Sequence, residues 1–190
     1  MPTEKSILYF ESIGEENTDE TLKISKERAD ELGIKDIVVA STRGPTGVKA
    51  SEVFKGYNLV VVTHSTGFRE PGQQELSDES HEKIKANGGK ILTTSHAFAG
   101  VSRALRGKFD TVGPAAIIAQ TLRMFGQGMK VVVECVYMAA DAGLIPMDRS
   151  IISIAGSGRG ADTAVVLKPS HLRAMFDLYV KEIIAKPNPE

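Results

Sequence analysis

The chain has little cysteine, few aromatic residues and no long apolar segment. Its 190 residues include one cysteine, Cys135, no tryptophan, and 6% aromatic residues in total. A single cysteine excludes an internal disulfide and is typical of proteins of the reducing cytoplasm. The longest uncharged run, from about Thr111 to Leu122, is far shorter than the roughly 20 apolar residues of a membrane-spanning helix. We therefore expect a cytoplasmic protein without a membrane partner.

The chain also lacks an excess of charge of either sign. Lys and Arg number 23 and Asp and Glu 24, which gives a net charge of −1. Proteins that bind nucleic acid carry a basic excess, so we predict no nucleic-acid partner. The N-terminal segment MPTEKSILYF lacks the basic and apolar regions of a signal peptide. The length and a hydrophobic content of 42% fit one domain, over residues 1–190, with a full core.

Apolar β-branched segments alternate with helical ones in the first half of the chain. The predicted strands lie at residues 7–10, 36–41, 58–63 and 90–94, and the helices between them at 17–32, 45–55 and 77–87. Strands that are apolar throughout are typical of a sheet covered by helices on both faces. The pattern predicts an α/β fold with three layers, α/β/α, and a mostly parallel sheet. At the first helix, Asn17 and Glu20 have the spacing of a capping box.

The second half begins with a helical insertion, for which we predict helices at residues 99–106, 114–125 and 129–142. The third, MKVVVECVYMAADA, is apolar almost all round, so it should be buried between the sheet and another layer. A second subunit could supply that layer, and we expect a homo-oligomer. The tail returns to strands at 150–155 and 163–168 and a helical turn near 170–176. Residues 178–185 fit a strand or a helix equally well.

Polar or glycine-containing loops follow four of the predicted strands, at residues 11–14, 41–47, 64–69 and 95–98. In an open α/β sheet, ligands bind beyond the carboxyl ends of the strands. The loop at 41–47, STRGPTG, combines glycines that allow backbone amides to converge with hydroxyl donors and one guanidinium, directly before a helix. This set suits a phosphate monoester. The alternative is that Thr46 or Ser51 only caps the helix while Arg43 is solvated.

A second glycine-rich segment, AGSGRGADTAVVLKP, has glycines at positions 156, 158 and 160 and runs into a strand. A dinucleotide-binding fingerprint instead has G-x-G-x-x-G at the start of a helix, so this segment is not one. Two interpretations remain. It is either a hairpin-like connection with Asp162 in a turn, or a mobile loop that places Arg159 and free amides over a ligand.

The sequence shows no catalytic constellation and no metal site. The four histidines and Cys135 lack metal-ligand spacing, and no G-x-S-x-G nucleophile motif occurs. Cys135 lies within the apolar helix, where a thiol is inert. His64 and His96 each follow a strand, where a ligand could reach them, whereas His81 and His171 are expected on the surface. Catalytic residues therefore stay unassigned.

Two stretches carry a resemblance to a known family. IVVASTRGPTGVKASEVFKGYNLVVVT and ISIAGSGRGADTAVVLKP resemble the C-terminal domain of pyruvate kinase, in which corresponding loops hold a phosphate of an allosteric sugar bisphosphate. No catalytic barrel precedes these stretches, so the resemblance does not imply phosphoryl transfer. The helical insertion at 98–143 matches no part of that domain.

The segments GEENTDETL, STRGPTG and MAADAGLIP are similar to those of a small group of stand-alone microbial proteins of this fold that are associated with bound FMN. These proteins have no settled activity, so the resemblance implies an FMN-binding protein and leaves open whether it is an enzyme. If it is one, the bound flavin makes a flavin-dependent oxidoreductase the expected activity. The alternative is a non-enzymatic regulatory module for a sugar phosphate or nucleotide. The implied ligand contacts are Ser41, Thr42, Arg43, Gly44, Thr46 and Gly47 on the phosphate, Gly158, Arg159 and Gly160 closing over it, and His64, Ser65, Thr66 and Gly67 on the ribityl chain or ring.

Overall fold

The computed structural model describes residues 2 and 4–189, which contain seven strands and six α-helices. Two 3₁₀ turns, Glu15–Asn17 and Leu172–Asp177, complete the regular structure. In chain order the elements are β1 (Leu8–Phe10), α1 (Thr18–Leu32), β2 (Asp36–Ala40), α2 (Pro45–Val53), β3 (Asn58–Val62), α3 (Asp78–Ala86), β4 (Lys90–Leu92), α4 (Gly100–Phe109), α5 (Pro114–Arg123), α6 (Gln127–Asp141), β5 (Ile151–Ala155), β6 (Thr163–Lys168) and β7 (Tyr179–Pro187).

The strands form one sheet in the order β1-β7-β6-β5-β2-β3-β4. The pairs β1–β7, β5–β2, β2–β3 and β3–β4 are parallel, and β5–β6 and β6–β7 are antiparallel. The predicted α/β fold with a mostly parallel sheet is confirmed. Because β1, β2, β3, β4 and β5 all run in the same direction, the loops that follow them leave the same edge of the sheet.

Alternate residues of the central strands face two separate cores. On one face, Ile37 and Val39 of β2 pack with α1, α2 and α3. On the other face, Val38 of β2 packs against α5, α6 and the turn Leu172–Asp177. The sheet is therefore the middle of three layers, and its strands are apolar throughout because both faces are buried.

Helix α6 is buried nearly all round, as its composition predicts. It lies on β2, β5 and β6, and its outer side is covered by α5 and by the turn Leu172–Asp177 of the same chain. Its two charged residues, Lys130 and Glu134, are also buried, at 7% and 2% exposure, and form an ion pair one helical turn apart. The third layer does not require a second subunit.

Two local expectations are settled by the structure. The capping box at Asn17 is wrong, because the 3₁₀ turn runs directly into α1 and gives Asn17 a helical backbone, whereas a capping residue has an extended one. Its amide Nδ2 instead donates to the Ser12 carbonyl at 2.9 Å. Residues 178–185, left open between strand and helix, belong to a strand from their second residue onward: β7 (Tyr179–Pro187), which lies between β1 and β6.

None of the helices in residues 2 and 4–189 has both the length and the apolar character needed to cross a membrane.

Candidate functional site

A cleft of about 820 Å³ lies beyond the carboxyl ends of β2, β3 and β5. It is the place where ligands bind in open α/β sheets. Its walls come from five parts of the chain: the start of α1, the β2–α2 loop, the β3 loop, the first turns of α6 and the β5–β6 loop. The lining residues are Glu15, Thr18, Ala40, Ser41, Thr42, Arg43, Gly44, Pro45, Thr46, Lys49, His64, Arg69, Gln127, Val131, Gly156, Gly158, Arg159 and Gly160.

The β2–α2 loop turns sharply at Gly44, where φ is 119°, a conformation that L residues with a Cβ rarely adopt. A Cβ at this position would also lie 2.1 Å from Oγ of Ser80. Pro45 then opens α2 without an N–H, and the Ser41 hydroxyl accepts the N–H of Gly47 at 3.0 Å. The N–H of Thr46 is left at the start of the helix without a partner among the described residues, and so is available to a ligand.

The charge of the cleft is dominated by basic groups. Arg43 and Arg159 are exposed, and neither has a carboxylate within ion-pair distance among residues 2 and 4–189. Lys49 also lines the cleft, but its Nζ lies 2.7 Å from Oδ1 of Asp19. Glu15 contributes the one carboxylate among the lining residues. The two arginines leave the cleft suited to an anion.

Helix dipoles add to this potential. Helix α2 begins at the cleft with Pro45 and Thr46, and α6 begins there with Gln127. The turn that leads into α1 lines it with Glu15 and Thr18. Because the N-terminus of a helix carries a partial positive charge and free N–H groups, three such ends favour a negatively charged ligand.

The glycine-rich segment is the loop of a β-hairpin, since Ala155 of β5 pairs with Thr163 of β6 in antiparallel register. Its base is held by the buried carboxylate of Asp162, which accepts the N–H of Ser157 at 3.0 Å. The N–H of Ala161 donates to Oγ1 of Thr18 at 3.0 Å. The loop is therefore both a hairpin connection and a wall of the cleft, with Arg159 exposed at its tip.

The β3 loop brings His64 to the opposite wall. Nδ1 of His64 lies 2.6 Å from Oε2 of Glu75, whose other oxygen lies 3.1 Å from Nε of Arg69. The ring stacks on Phe68 with 3.9 Å between centroids. Burial lowers the pKa of His64 below its ordinary value, and the hydrogen bond to Glu75 opposes this only in part. Glu75 thus holds the His64 imidazole in one orientation and leaves its second nitrogen, Nε2, free.

Behind His64 lies a second charged group, inside the protein. Glu134 of α6 accepts the N–H of Phe98 at 2.8 Å, pairs with Lys130, and lies 3.6 Å from Nδ1 of His96. Burial disfavours its charge, but His96 and Lys130 outweigh burial and lower its pKa from 4.5 to about 2. The imidazole of His96 in turn packs 5.3 Å from that of His64. Glu134 thus supports the wall that carries His64.

The structure brings most of the predicted contacts together. Ser41, Thr42, Arg43, Gly44, Thr46, His64, Gly158, Arg159 and Gly160 all line the cleft. Four predicted residues do not: Gly47, Ser65, Thr66 and Gly67. Gly47 packs against the sheet and α3, where a Cβ would lie 2.9 Å from Val61 and Ile84. The N–H of Gly67 closes a turn with the carbonyl of Gln73 at 2.8 Å.

Several lining residues escaped sequence reasoning. Glu15 precedes the helix predicted at 17–32, and Gln127 lies between those predicted at 114–125 and 129–142, so neither belongs to a loop predicted at a strand end. Lys49 and Val131 lie within helices, with no motif around them. Glu75 was missed as the partner of His64, because the two are eleven positions apart in an irregular loop. For Gln127 the sequence does contain a signal, because Gly126 and Gly128 lie on either side of it and glycines at a helix start allow a ligand to approach closely.

The geometry of the described residues gives no indication of a metal site at the histidines. Over residues 2 and 4–189, no three His, Cys, Asp or Glu side chains are grouped closely enough to hold a metal ion.

The comparison with protein families agrees with the α/β architecture described above. The chain matches the family model "Pyruvate kinase, alpha/beta domain" over residues 19–167. It belongs to that family.

Among solved structures, the chain is similar to Cryptosporidium parvum pyruvate kinase in complex with ADP, at 14% identity and a TM-score of 0.39, over 87% of this chain and 23% of that one. A second structure of the C. parvum enzyme is similar at 13% identity and a TM-score of 0.36, over 87% of this chain and 22% of that one. An O-ureido-L-serine synthase gives 19% identity and a TM-score of 0.31, over 65% of this chain and 47% of that one. The chain thus spans less than a quarter of the pyruvate kinases.

Proposed function

We propose that the protein binds a phosphate-bearing ligand, FMN, with its phosphate on the β2–α2 loop. The observation that supports this most is the cleft itself. Arg43 and Arg159 face it from opposite loops without a carboxylate partner among the described residues, and the N–H of Thr46 is free at the start of α2. A phosphate accepts hydrogen bonds from both guanidinium and amide donors.

The residues present also fit the rest of FMN. A volume of about 820 Å³ lies within the range of about 300–1,000 Å³ found for cofactor sites. Glu15 and Gln127 offer polar atoms to the ribityl hydroxyls, and Val131 and Ala40 offer apolar contact to a ring. When bound, flavin supplies one- and two-electron redox chemistry. The protein is then a flavin-dependent oxidoreductase of the cytoplasm. The chain's own residues bind the flavin, orient it and supply the electrostatic environment of its ring.

The second candidate is a regulatory module that binds a sugar phosphate or nucleotide. One observation favours it: among the described residues that line the cleft there is no Phe, Tyr or Trp to stack on a flavin ring. Thermal-shift assays with FMN and with fructose bisphosphate separate the two candidates, because stabilisation follows the ratio of ligand concentration to Kd. Stabilisation by fructose bisphosphate alone would favour the module.

We also propose that the protein forms a homo-oligomer through its helical insertion. Helices α4 and α5 expose several large apolar side chains, among them Val101 at 75% and Ile117 at 58% exposure, and Phe125 follows at 56%. Exposed apolar surface of this kind marks association sites. Light scattering on the purified protein should give a mass above the 20.4 kDa of one chain, and a monomeric mass would contradict the proposal.

The phosphate site is tested with the double variant Arg43→Ala/Thr46→Ala. Loss of charge-assisted hydrogen bonds worth about 1.5–3 kcal/mol should weaken FMN binding at least about tenfold and remove copurifying flavin. Arg106→Ala/Thr111→Ala is the matched control, since both residues are exposed and lie outside the cleft. Unchanged flavin content in the first variant, or an equal loss in the second, would refute the assignment.

A further inference from the structure

His64 lines the cleft and has one nitrogen without a hydrogen-bond partner in the described part of the chain. Its Nδ1 is held by Glu75 at 2.6 Å, while Nε2 makes no hydrogen bond to any residue in the described part of the chain. The ring cannot swing freely, because it is stacked on Phe68 and bounded by His96. The guanidinium of Arg103 in α4 lies 4.4 Å from the centroid of the Phe68 ring. The free nitrogen is therefore aimed by its surroundings.

The protonation state of His64 follows from the same contacts. An ionised Glu75 can only accept, so the proton of the neutral imidazole is on Nδ1 and Nε2 carries the lone pair. Burial lowers the pKa of His64, and the charges of His96 and Arg69 lower it further, against Glu75. At neutral pH the side chain is thus a neutral base that can take up one proton.

The sheet places this base close to the phosphate loop. Strands β2 and β3 are neighbours, with the N–H of Ser41 bonded to the Val62 carbonyl at 2.9 Å. Strand β5, which leads to Arg159, lies on the other side of β2. Because adjacent strands are about 4.8 Å apart, the loops after β3, β2 and β5 are neighbours, and His64 lines the same cleft as Arg43 and Arg159. A small phosphorylated polyol could therefore contact the β2–α2 loop and His64 at once.

We propose that His64 is the proton-transfer residue of the cleft, acting through Nε2 on a hydroxyl of a phosphorylated polyol, with Glu75 as its positioning residue. This rests on the proposed function for the location of the phosphate. In the forward step the ligand O–H bond breaks, an Nε2–H bond forms, and the electron pair stays on the ligand oxygen. Glu75 holds Nδ1–H and stabilises the resulting imidazolium. The polyol is the ribityl chain of FMN or a sugar phosphate of similar length.

The contact with ligand is tested by diethylpyrocarbonate labelling of the wild-type protein, with mass spectrometry of each histidine peptide. FMN and ribose 5-phosphate are the two probes, each at about ten times its Kd, which should slow labelling of His64 about tenfold. His81 and His171 are internal controls, because they are more exposed and lie outside the cleft. Protection of His64 by neither probe would overturn the proposal.

The two probes, FMN and ribose 5-phosphate, also distinguish a failure of the His64 role from a failure of the proposed FMN binding. If ribose 5-phosphate protects His64 while FMN fails to bind, the FMN assignment fails and the role of His64 stands. If FMN binds but His64 is labelled as fast as in the ligand-free protein, the FMN assignment stands and the proposed role of His64 fails.

The basic role is tested by NMR on the free protein. Nitrogen shifts should show neutral His64 with its proton on Nδ1. In Glu75→Gln the His64 pKa should fall, because the charge that stabilises the imidazolium is lost, and Glu75→Asp should restore part of it. Glu70→Gln is the control, a nearby exposed carboxylate outside the cleft. A proton on Nε2, or a His64 pKa that ignores Glu75, would refute the role.

Discussion

Replacing Glu134 with Gln tests the charged group that supports the His64 wall. The Glu134 carboxylate is 2% exposed and pairs with the buried Lys130. Its pKa of about 2, against 4.5 for an ordinary glutamate, corresponds to about 3 kcal/mol of stabilisation at neutral pH. The variant leaves Lys130 buried without its charge partner, a change that costs about 3–5 kcal/mol in other proteins.

The pH dependence provides the sharper test. Because the pKa of Glu134 in the folded state lies below 4.5, its contribution is complete above that pH and is lost as pH falls towards 2. The difference in free energy of unfolding between wild type and Glu134→Gln should therefore shrink by about 2 kcal/mol between pH 7 and pH 3.

Urea unfolding followed by circular dichroism measures these differences, since the chain has no tryptophan for fluorescence. The matched control is Glu79→Gln, which removes another glutamate paired with lysine four residues away, but on the surface of α3. Exposed pairs contribute little, so its stability should stay close to that of wild type. Equal losses in the two variants, or a Glu134→Gln effect that is the same at pH 7 and pH 3, would refute the reasoning.

Two further predictions concern single residues. Burial raises the pKa of the Cys135 thiol to about 12, so the native protein should show no thiol that reacts with Ellman's reagent, while the urea-unfolded chain should show one; a reactive native thiol would contradict the burial. Gly44→Ala should destabilise the protein and weaken phosphate binding more than Gly56→Ala does. Both glycines have positive φ, but a Cβ at Gly44 meets Ser80 at 2.1 Å and one at Gly56 meets nothing within 4 Å; equal thermal shifts would contradict this.

The sheet was predictable from the sequence because its strands are apolar on both faces. Residues such as Val38 and Val39 of β2 are buried on opposite sides, and that requires helices on each. The order of the strands was not predictable. β1 pairs with β7, and their residues Leu8 and Ala185 are far apart in the chain. Periodicity describes each segment but contains no information on its neighbour in the sheet.

The candidate site also has a part that could be predicted from the sequence and a part that could not. That the β2–α2 loop lines the cleft could be predicted because its residues are consecutive and follow a strand, so one stretch of chain carries the whole pattern. The His64–Glu75 pair could not, because the contact is made by the path of an irregular loop. Gly47 was assigned to the ligand because a glycine lets a ligand approach the backbone. In the structure it packs closely against Val61 and Ile84, a contact that the sequence does not predict.

The central claim is that the cleft holds its ligand by a phosphate. The most direct test is to titrate ligand-free wild-type protein with FMN and with riboflavin, which differ by that phosphate alone, and to follow flavin fluorescence. The account predicts that riboflavin binds at least about tenfold more weakly than FMN, through loss of charge-assisted hydrogen bonds to Arg43 and Arg159. Equal affinity for the two flavins would contradict it.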